Sequence, residues 1–127
     1  MSLVRSIKYA AGYIEVNVSG TRVPEEFFKV NVEIWEEIIS LAERSGTEKV
    51  LYQSCVTGER PLQLTHDVLD EFINRHLAHL TVAYVEQDPE GFEDAKLLRT
   101  LLQMYDVKFE LFQEVEPAIE WLEKQGD

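Results

Sequence analysis

Two apolar runs without alternation constrain the fold of this chain more than any other feature. Residues 50–52 and 80–85 are almost entirely apolar, and amphipathic segments lie between and around them. A strand has such a run when both of its faces are covered, which is typical of a parallel strand packed between helices. The sequence therefore predicts that both runs are central strands of an α/β sheet.

The residues before these runs predict a hairpin and a long helix. Residues 7–9 form a short candidate strand, and residues 13–18 alternate apolar and polar side chains as a half-covered strand does. Gly12 lies in the turn between them and tolerates positive φ. Pro24 suits a first helical turn and Gly46 suits a helix end, so a helix of about five turns is predicted between them.

The long helix has an apolar face that a single polar residue interrupts. One series of side chains at helical spacing contains Asn31 among apolar residues, which are Phe27, Ile34, Ile38 and Leu41. A second series contains Phe28 and Trp35. These two aromatic side chains are expected mainly in the core, and they are also candidates for lining an apolar groove that takes a small apolar molecule or a partner helix.

Residues that are typical of helix N-termini predict where the remaining helices begin. Thr65 is a good N-cap for a helix after the first apolar run. Asp88 and Pro89 begin a helix after the second run, and Glu116 begins the last helix. Residues 107–111 alternate between apolar and polar side chains and predict a fifth strand.

Together these elements predict one α/β domain over residues 1–127, in the order β-β-α-β-α-β-α-β-α. A strand–helix–strand crossover is normally right-handed and pairs its strands in parallel, whereas the opening hairpin is antiparallel. The expected architecture is a mixed five-strand sheet with helices packed on it. With 127 residues and 45% hydrophobic content, the chain is large enough for the core of one domain.

The charge of the chain argues against two classes of partner. It has 24 acidic and 12 basic residues, which give a formal net charge of −12. Such a surface repels phosphate backbones and anionic lipid heads, so we expect neither nucleic acid nor a membrane as partner. No apolar run approaches the roughly 20 residues that cross a bilayer. The single cysteine and the absence of an apolar signal segment predict a reducing, cytoplasmic location.

The element order resembles the STAS-like fold, which anti-sigma-factor antagonists share with the cytosolic ends of sulfate transporters. The chain is most similar to a group of small bacterial STAS-like proteins, whose marks are an opening hairpin, a long first helix and a closing strand–helix unit. Here the closing unit is residues 107–112 and residues 118–122, the latter reading Ala-Ile-Glu-Trp-Leu. The resemblance implies a non-enzymatic regulatory domain that binds a protein partner or a small ligand, and it is compatible with a homodimer.

The predicted topology places the interaction surface after the third strand. Open α/β sheets bind ligands at the carboxyl ends of their central strands, and residues 54–64 are expected to form a loop there. The expected contact residues come from this loop and the following helix start, and they are Ser54, Cys55, Thr57, Gly58, Arg60, Thr65 and His66. Signalling STAS domains have an Asp-Ser pair here, whose serine a partner kinase phosphorylates. In this chain Ser54 and Thr57 supply hydroxyls, but the aspartate is absent.

A thiol enzyme is the second hypothesis. Residues 55–60 match the pattern C-x-x-G-x-R and resemble the active-site loop of rhodanese sulfurtransferases. Gly58 would allow close backbone approach, and Arg60 would stabilise a Cys55 thiolate or hold an oxyanion. The chain departs from that family because two residues separate Cys55 from the apolar run and four separate Arg60 from the predicted helix.

The histidines give a weaker signal. His76 and His79 are three residues apart on one predicted helix, a spacing that can suit a metal ion. No cysteine or carboxylate accompanies them at the spacing of a known metal-binding family, so we expect no metal site and no cofactor. A solvated helix end, where positive histidine favours the helix dipole, is the expected reading of both residues.

Overall fold

Five strands and three helices make up the part of the chain that the computed structural model describes, which is residues 3–58, 63, 67, 68, 70 and 79–125. In chain order they are β1 (Leu3–Ala10), β2 (Tyr13–Thr21), α1 (Pro24–Ser45), β3 (Lys49–Thr57), β4 (Thr81–Glu86), α2 (Pro89–Met104), β5 (Lys108–Phe112) and α3 (Val115–Lys124). The helix predicted from Thr65 falls largely outside the described residues, although Asp67 and Val68 are helical.

The sheet has the strand order β1-β2-β3-β4-β5. β1 is antiparallel to β2, and every other neighbouring pair is parallel. β3 is the middle strand and β4 is its inner neighbour, so neither apolar run lies at an edge. The prediction of two central strands is therefore confirmed, as is the mixed five-strand sheet.

Of the three helices given above, two pack on one face of the sheet and one packs on the other. α1 and α2 pack on one face, where Val50 and Val82 belong to the larger hydrophobic cluster together with Trp35 of α1. α3 packs on the other face over β3, β4 and β5, where Leu51 contributes to a smaller cluster that Trp121 borders. Because β3 and β4 lie between these two layers, alternate residues on both faces are apolar, which explains the continuous runs.

β3 is longer than the sequence predicts. The expected loop from residue 54 begins later, because residues 54–57 continue the strand. β2 also extends, to Thr21, and its register pairs residues 18–21 with residues 54–57 of β3. Backbone hydrogen bonds to β2 therefore sustain a strand that its polar side chains do not signal. β1 is longer for the same reason and begins at Leu3 rather than at residue 7.

The helix ends follow the predicted chemistry. Pro24 is the first residue of α1, and Gly46 caps its end with a φ of 71° and an N–H that donates to Ala42 O. Asp88 caps α2, because its carboxylate accepts a hydrogen bond of 3.0 Å from Gly91 N. Among the described helices, none combines the length and the hydrophobicity that a membrane crossing requires.

Candidate functional site

The carboxyl ends of the four parallel strands share one edge of the sheet, which we call the carboxyl edge. Its strand ends are Thr21, Thr57, Glu86 and Phe112. α1, α2 and α3 all begin at this edge, each directly after a strand, so three positive helix-dipole ends point towards it. Acidic residues occupy the first turn of each helix. This is the edge where open α/β sheets bind their ligands.

β2 and β3 project beyond β4 at this edge. Glu86, the last residue of β4, pairs with Ser54 of β3. The pairing of β2 with β3 continues three residues beyond Ser54, as far as Thr21 and Thr57. Residues 55–57 therefore extend past β4 and have β2 as their neighbour on one side. We call the two strand ends, residues 19–22 and 55–58, the projecting ribbon.

Hydrogen bonds hold the tip of the projecting ribbon together. The hydroxyls of Thr21 and Thr57 are 3.2 Å apart, and the Thr57 hydroxyl donates to Gly20 O at 3.3 Å. Arg22 N donates to Thr57 O at 2.9 Å, and its guanidinium Nη1 donates to Gly58 O at 2.6 Å. Arg22 thus ties the exit of β2 to the exit of β3 through both its backbone and its side chain.

The turn after β3 requires glycine. Gly58 has a φ of +93°, a conformation that side-chain-bearing residues rarely adopt. A Cβ atom there would also lie 3.4 Å from Arg22 N. Gly58 therefore allows the chain to leave β3 close to Arg22.

The structure separates residues that the sequence placed in one site. Ser54 is 3% exposed and faces the α1 side of the sheet, whereas Cys55 is exposed on the opposite face. Thr57 and Gly58 lie at the projecting ribbon, beside Thr21 and Arg22. The remaining predicted contact residues, Arg60, Thr65 and His66, lie outside the described residues.

The backbone around Cys55 does not have the form of a sulfurtransferase loop. Residues 55–57 are extended and paired with β2. Successive N–H groups of an extended strand point to opposite sides, so they cannot converge on one sulfur atom. The conformation of this segment therefore argues against the thiol-enzyme hypothesis, whose second residue, Arg60, lies outside the described part of the chain.

Glu86 is a buried carboxylate that sequence reasoning missed. It is 1% exposed at the end of β4, and a Cβ atom on Gly91 would lie 2.5 Å from its Oε1 atom. Glycine at this position therefore leaves room for the carboxylate beside the first turn of α2. Oε1 accepts no hydrogen bond from the described residues, although Glu86 does interact with another group in the molecule. The sequence feature that could have indicated this carboxylate is an acidic residue placed between an apolar strand and an Asp-Pro helix start.

A cavity of about 50 Å³ lies between the sheet, α1 and α2, behind the carboxyl edge. Its wall is mostly apolar, and the aromatic side chains in it are Phe27, Trp35, Tyr52 and Tyr84. The polar side chains that line it are Arg22, Asn31 and Ser54. Trp35 thus lines an internal cavity, but its predicted groove partner Phe28 does not, because Phe28 is 40% exposed on α1.

Metal binding has no support in the described ranges. Within residues 3–58, 79–125 and the few described residues between them, no three His, Cys, Asp or Glu side chains are grouped to hold a metal ion. His79 is exposed, and His76 lies outside the described residues.

Comparison with known proteins gives a fold but no close relative in sequence. A scan against family models and a search of curated proteins each give no match. Among solved structures, the chain is similar to an anti-sigma factor antagonist from Mycobacterium paratuberculosis, with a TM-score of 0.67 and 14% identity. That similarity covers 97% of this chain and 96% of the other. The chain therefore has the STAS-like fold, as the element order predicted.

Proposed function

We propose that this chain is a non-enzymatic regulatory domain that binds a protein partner at its carboxyl edge, through the projecting ribbon and the start of α1. The observation that carries the proposal is the ribbon itself, which extends beyond β4 and has a hydrogen-bonded tip. A surface that is already ordered loses less conformational entropy when it binds, which favours affinity.

The surface beside the ribbon supports the same reading. Phe28 is exposed on the second turn of α1, and Glu25 and Glu26 are exposed on the first turn. Aromatic side chains are common anchors of protein interfaces. The complementary partner surface would have an apolar pocket for Phe28, with basic side chains around it.

A solved structure of similar fold supports a regulatory role, since the Mycobacterium paratuberculosis protein is described as an anti-sigma factor antagonist. We extend that role to this chain only as far as binding a regulatory protein. The free, exposed thiol of Cys55 suits a reducing cytoplasm, which is the location we propose.

Site-specific crosslinking tests the proposal. A photo-crosslinking amino acid at position 28 should capture one defined protein in cells, and the same group at position 104 should not. Met104 is the matched control, because it is even more exposed than Phe28 but lies at the end of α2.

The captured protein should then be purified and its affinity measured. We expect Phe28→Ala and Arg22→Ala to weaken binding by tenfold or more, because anchor residues dominate interface energies. Met104→Ala should bind as the unmodified chain does. Equal capture at positions 28 and 104, or equal affinity of all three variants, would contradict the proposal.

A further inference from the structure

β1 is an edge strand, and within the described part of the chain it has β2 as its one neighbour in the sheet. Ala10 pairs with Tyr13 across a two-residue turn, in which Ala11 and Gly12 both have positive φ. Such a turn is closed by a hydrogen-bonded pair, and bonded and non-bonded pairs then alternate along the hairpin. The backbone N–H and C=O groups that point away from β2 therefore belong to alternate residues, which are Leu3, Arg5, Ile7 and Tyr9.

The outer edge of β1 lacks the features that usually prevent further strand pairing. Natural edge strands are commonly short, bulged or interrupted by proline. β1 has eight residues in an unbroken register with β2, and it contains no proline. It also has two exposed apolar side chains, since Val4 is 69% exposed and Tyr9 is 50% exposed. These features favour the addition of another strand through backbone hydrogen bonds.

The positions of the charges in β1 limit how a second copy of the same strand could pair with it. In a twofold antiparallel pair, the residue at the centre lies opposite its own counterpart. A centre at Arg5 or Lys8 would place two like charges directly opposite each other, which is destabilising. The remaining registers with a long overlap have Ser6 or Ile7 at the centre, and they pair residues 3–9 or residues 4–10 of both copies.

The groove between β1 and α1 favours the register with Ser6 at its centre. Three carboxylates and two guanidinium groups line this groove, and they belong to Glu33, Glu36, Glu37, Arg5 and Arg44. With Ser6 at the centre, Arg5 of the second copy lies opposite Ile7, which also lines the groove. That arginine adds a positive charge beside the excess carboxylate. With Ile7 at the centre, it would lie opposite Tyr9, which is not part of the groove.

We infer that a second copy of this chain binds along the outer edge of β1, in an antiparallel pairing centred on Ser6. The two five-strand sheets then form one continuous sheet across a twofold axis. Val4 of each copy packs against the aliphatic part of Lys8 from the other copy. This inference does not depend on the partner proposed for the projecting ribbon, so either can fail without the other.

Disulfide trapping tests the register. Residues that bond to β2 form the non-bonded pairs of the new ladder, whose Cα atoms are about 4.5 Å apart, a distance that a disulfide spans. In a Cys55→Ser background, Ser6→Cys should form a disulfide-linked dimer under mild oxidation. Lys8→Cys is the matched control, because it is exposed on the same face of β1 but would lie opposite Val4 of the second copy. The double variant Val4→Cys with Lys8→Cys should form the dimer again.

Sedimentation of the reduced chain measures the association without a crosslink. Tyr9→Pro removes an outward N–H group and leaves the hydrogen bonds to β2 in place, a position where an edge strand tolerates proline. Tyr9→Ala is the matched control, because it removes the same ring but keeps the N–H group. We expect Tyr9→Pro to raise the dimer dissociation constant about tenfold above that of Tyr9→Ala, since the twofold axis doubles the loss to two hydrogen bonds.

Three results would overturn the inference. They are equal trapping of Ser6→Cys and Lys8→Cys, equal dissociation constants for Tyr9→Pro and Tyr9→Ala, and a chain that stays monomeric at every concentration. The last result would leave the edge of β1 to an extended segment of another protein. Circular dichroism shows whether Tyr9→Pro folds, and if it does not, the trapping experiment alone decides.

Discussion

At the scale of single residues, neighbours in β3 have opposite environments. Ser54 is buried and lines the cavity, whereas Cys55 is exposed on the face that α1 does not cover. This difference arises because successive side chains of a strand point to opposite faces of the sheet. Any role of Ser54 in the cavity is therefore separable by mutation from any reactivity of Cys55.

For Cys55 we predict an accessible thiol that does not perform sulfur transfer. The chain should transfer no sulfur from thiosulfate to cyanide, because residues 55–57 are extended and their N–H groups cannot converge on the sulfur. Arg60→Ala should leave the rate of Cys55 alkylation at pH 6 unchanged. Mass spectrometry of the alkylated protein over time measures that rate, with Cys55→Ser as the blank. Rapid alkylation at pH 6 that is lost in Arg60→Ala would instead support the thiol-enzyme hypothesis.

We predict that replacing Gly91 destabilises the protein as long as Glu86 is present. Gly91→Ala would place its Cβ 2.5 Å from Glu86 Oε1, and the buried carboxylate has little room to move. We expect a loss of about 1–3 kcal/mol in the free energy of unfolding, as for other overpacked sites. Urea denaturation of the variant measures it.

The matched control for Gly91 is the same substitution in a Glu86→Ala background. With the carboxylate removed, alanine should be tolerated or should stabilise the helix, because it has the higher helix propensity. An equal loss in both backgrounds would show that contact with Glu86 is not the cause.

At the scale of elements, α3 is the one helix among those described that packs on its face of the sheet, so its contact with β3 should be sensitive to truncation of side chains. We predict that Leu51→Ala destabilises the protein more than Val16→Ala does. Both side chains are buried, but Leu51 loses more atoms and lies under α3. A Leu→Ala change in a core costs about 2–5 kcal/mol. Denaturant midpoints and slopes of the two variants give the comparison, and an equal or reversed order would contradict it.

The edge strand β1 is attached to α1 by an ion pair whose contribution should not vary near neutral pH. Arg5 Nε donates to Glu37 at 3.1 Å, and Glu33 lies 3.7 Å from its Nη2 atom. The hydrogen bond to Glu37 is the main cause that raises the pKa of Arg5, and the two negative charges add to it against the opposing effect of burial. A group whose pKa is raised on folding contributes stability that is fully present below its unfolded pKa and is lost only as the pH rises through the folded pKa, which for an arginine lies far above neutral pH.

We therefore predict that Arg5→Gln costs the same free energy of unfolding at pH 7 and at pH 10. The loss should be below about 1 kcal/mol, because the pair is partly exposed and salt screens it. Denaturant curves at both pH values test this. A cost that changes between pH 7 and pH 10 would contradict the prediction, because the charge of Arg5 is constant over that range.

At the scale of the whole molecule, local signals predict the order of the elements but not the site. Pro24, Asp88 and the two apolar runs act within a few residues, so the helix starts and central strands can be predicted. The length of β3 depends on pairing with β2, which polar residues 53–55 conceal. The sequence shows Asn31 as a polar residue on an apolar helix face. It does not show that Asn31 lines the same cavity as Ser54, which comes from a distant strand.

The two tryptophans make the layered structure observable by spectroscopy. Trp35 lies in the α1 layer beside Tyr52, and Trp121 lies in the α3 layer beside Phe112. Trp35→Phe and Trp121→Phe would each leave one emitter, so each variant reports on one side of the sheet. If the domain unfolds as a single cooperative unit, both emission curves and far-ultraviolet circular dichroism should share one midpoint. An earlier midpoint for the Trp121 signal would instead show that α3 detaches before the sheet unfolds.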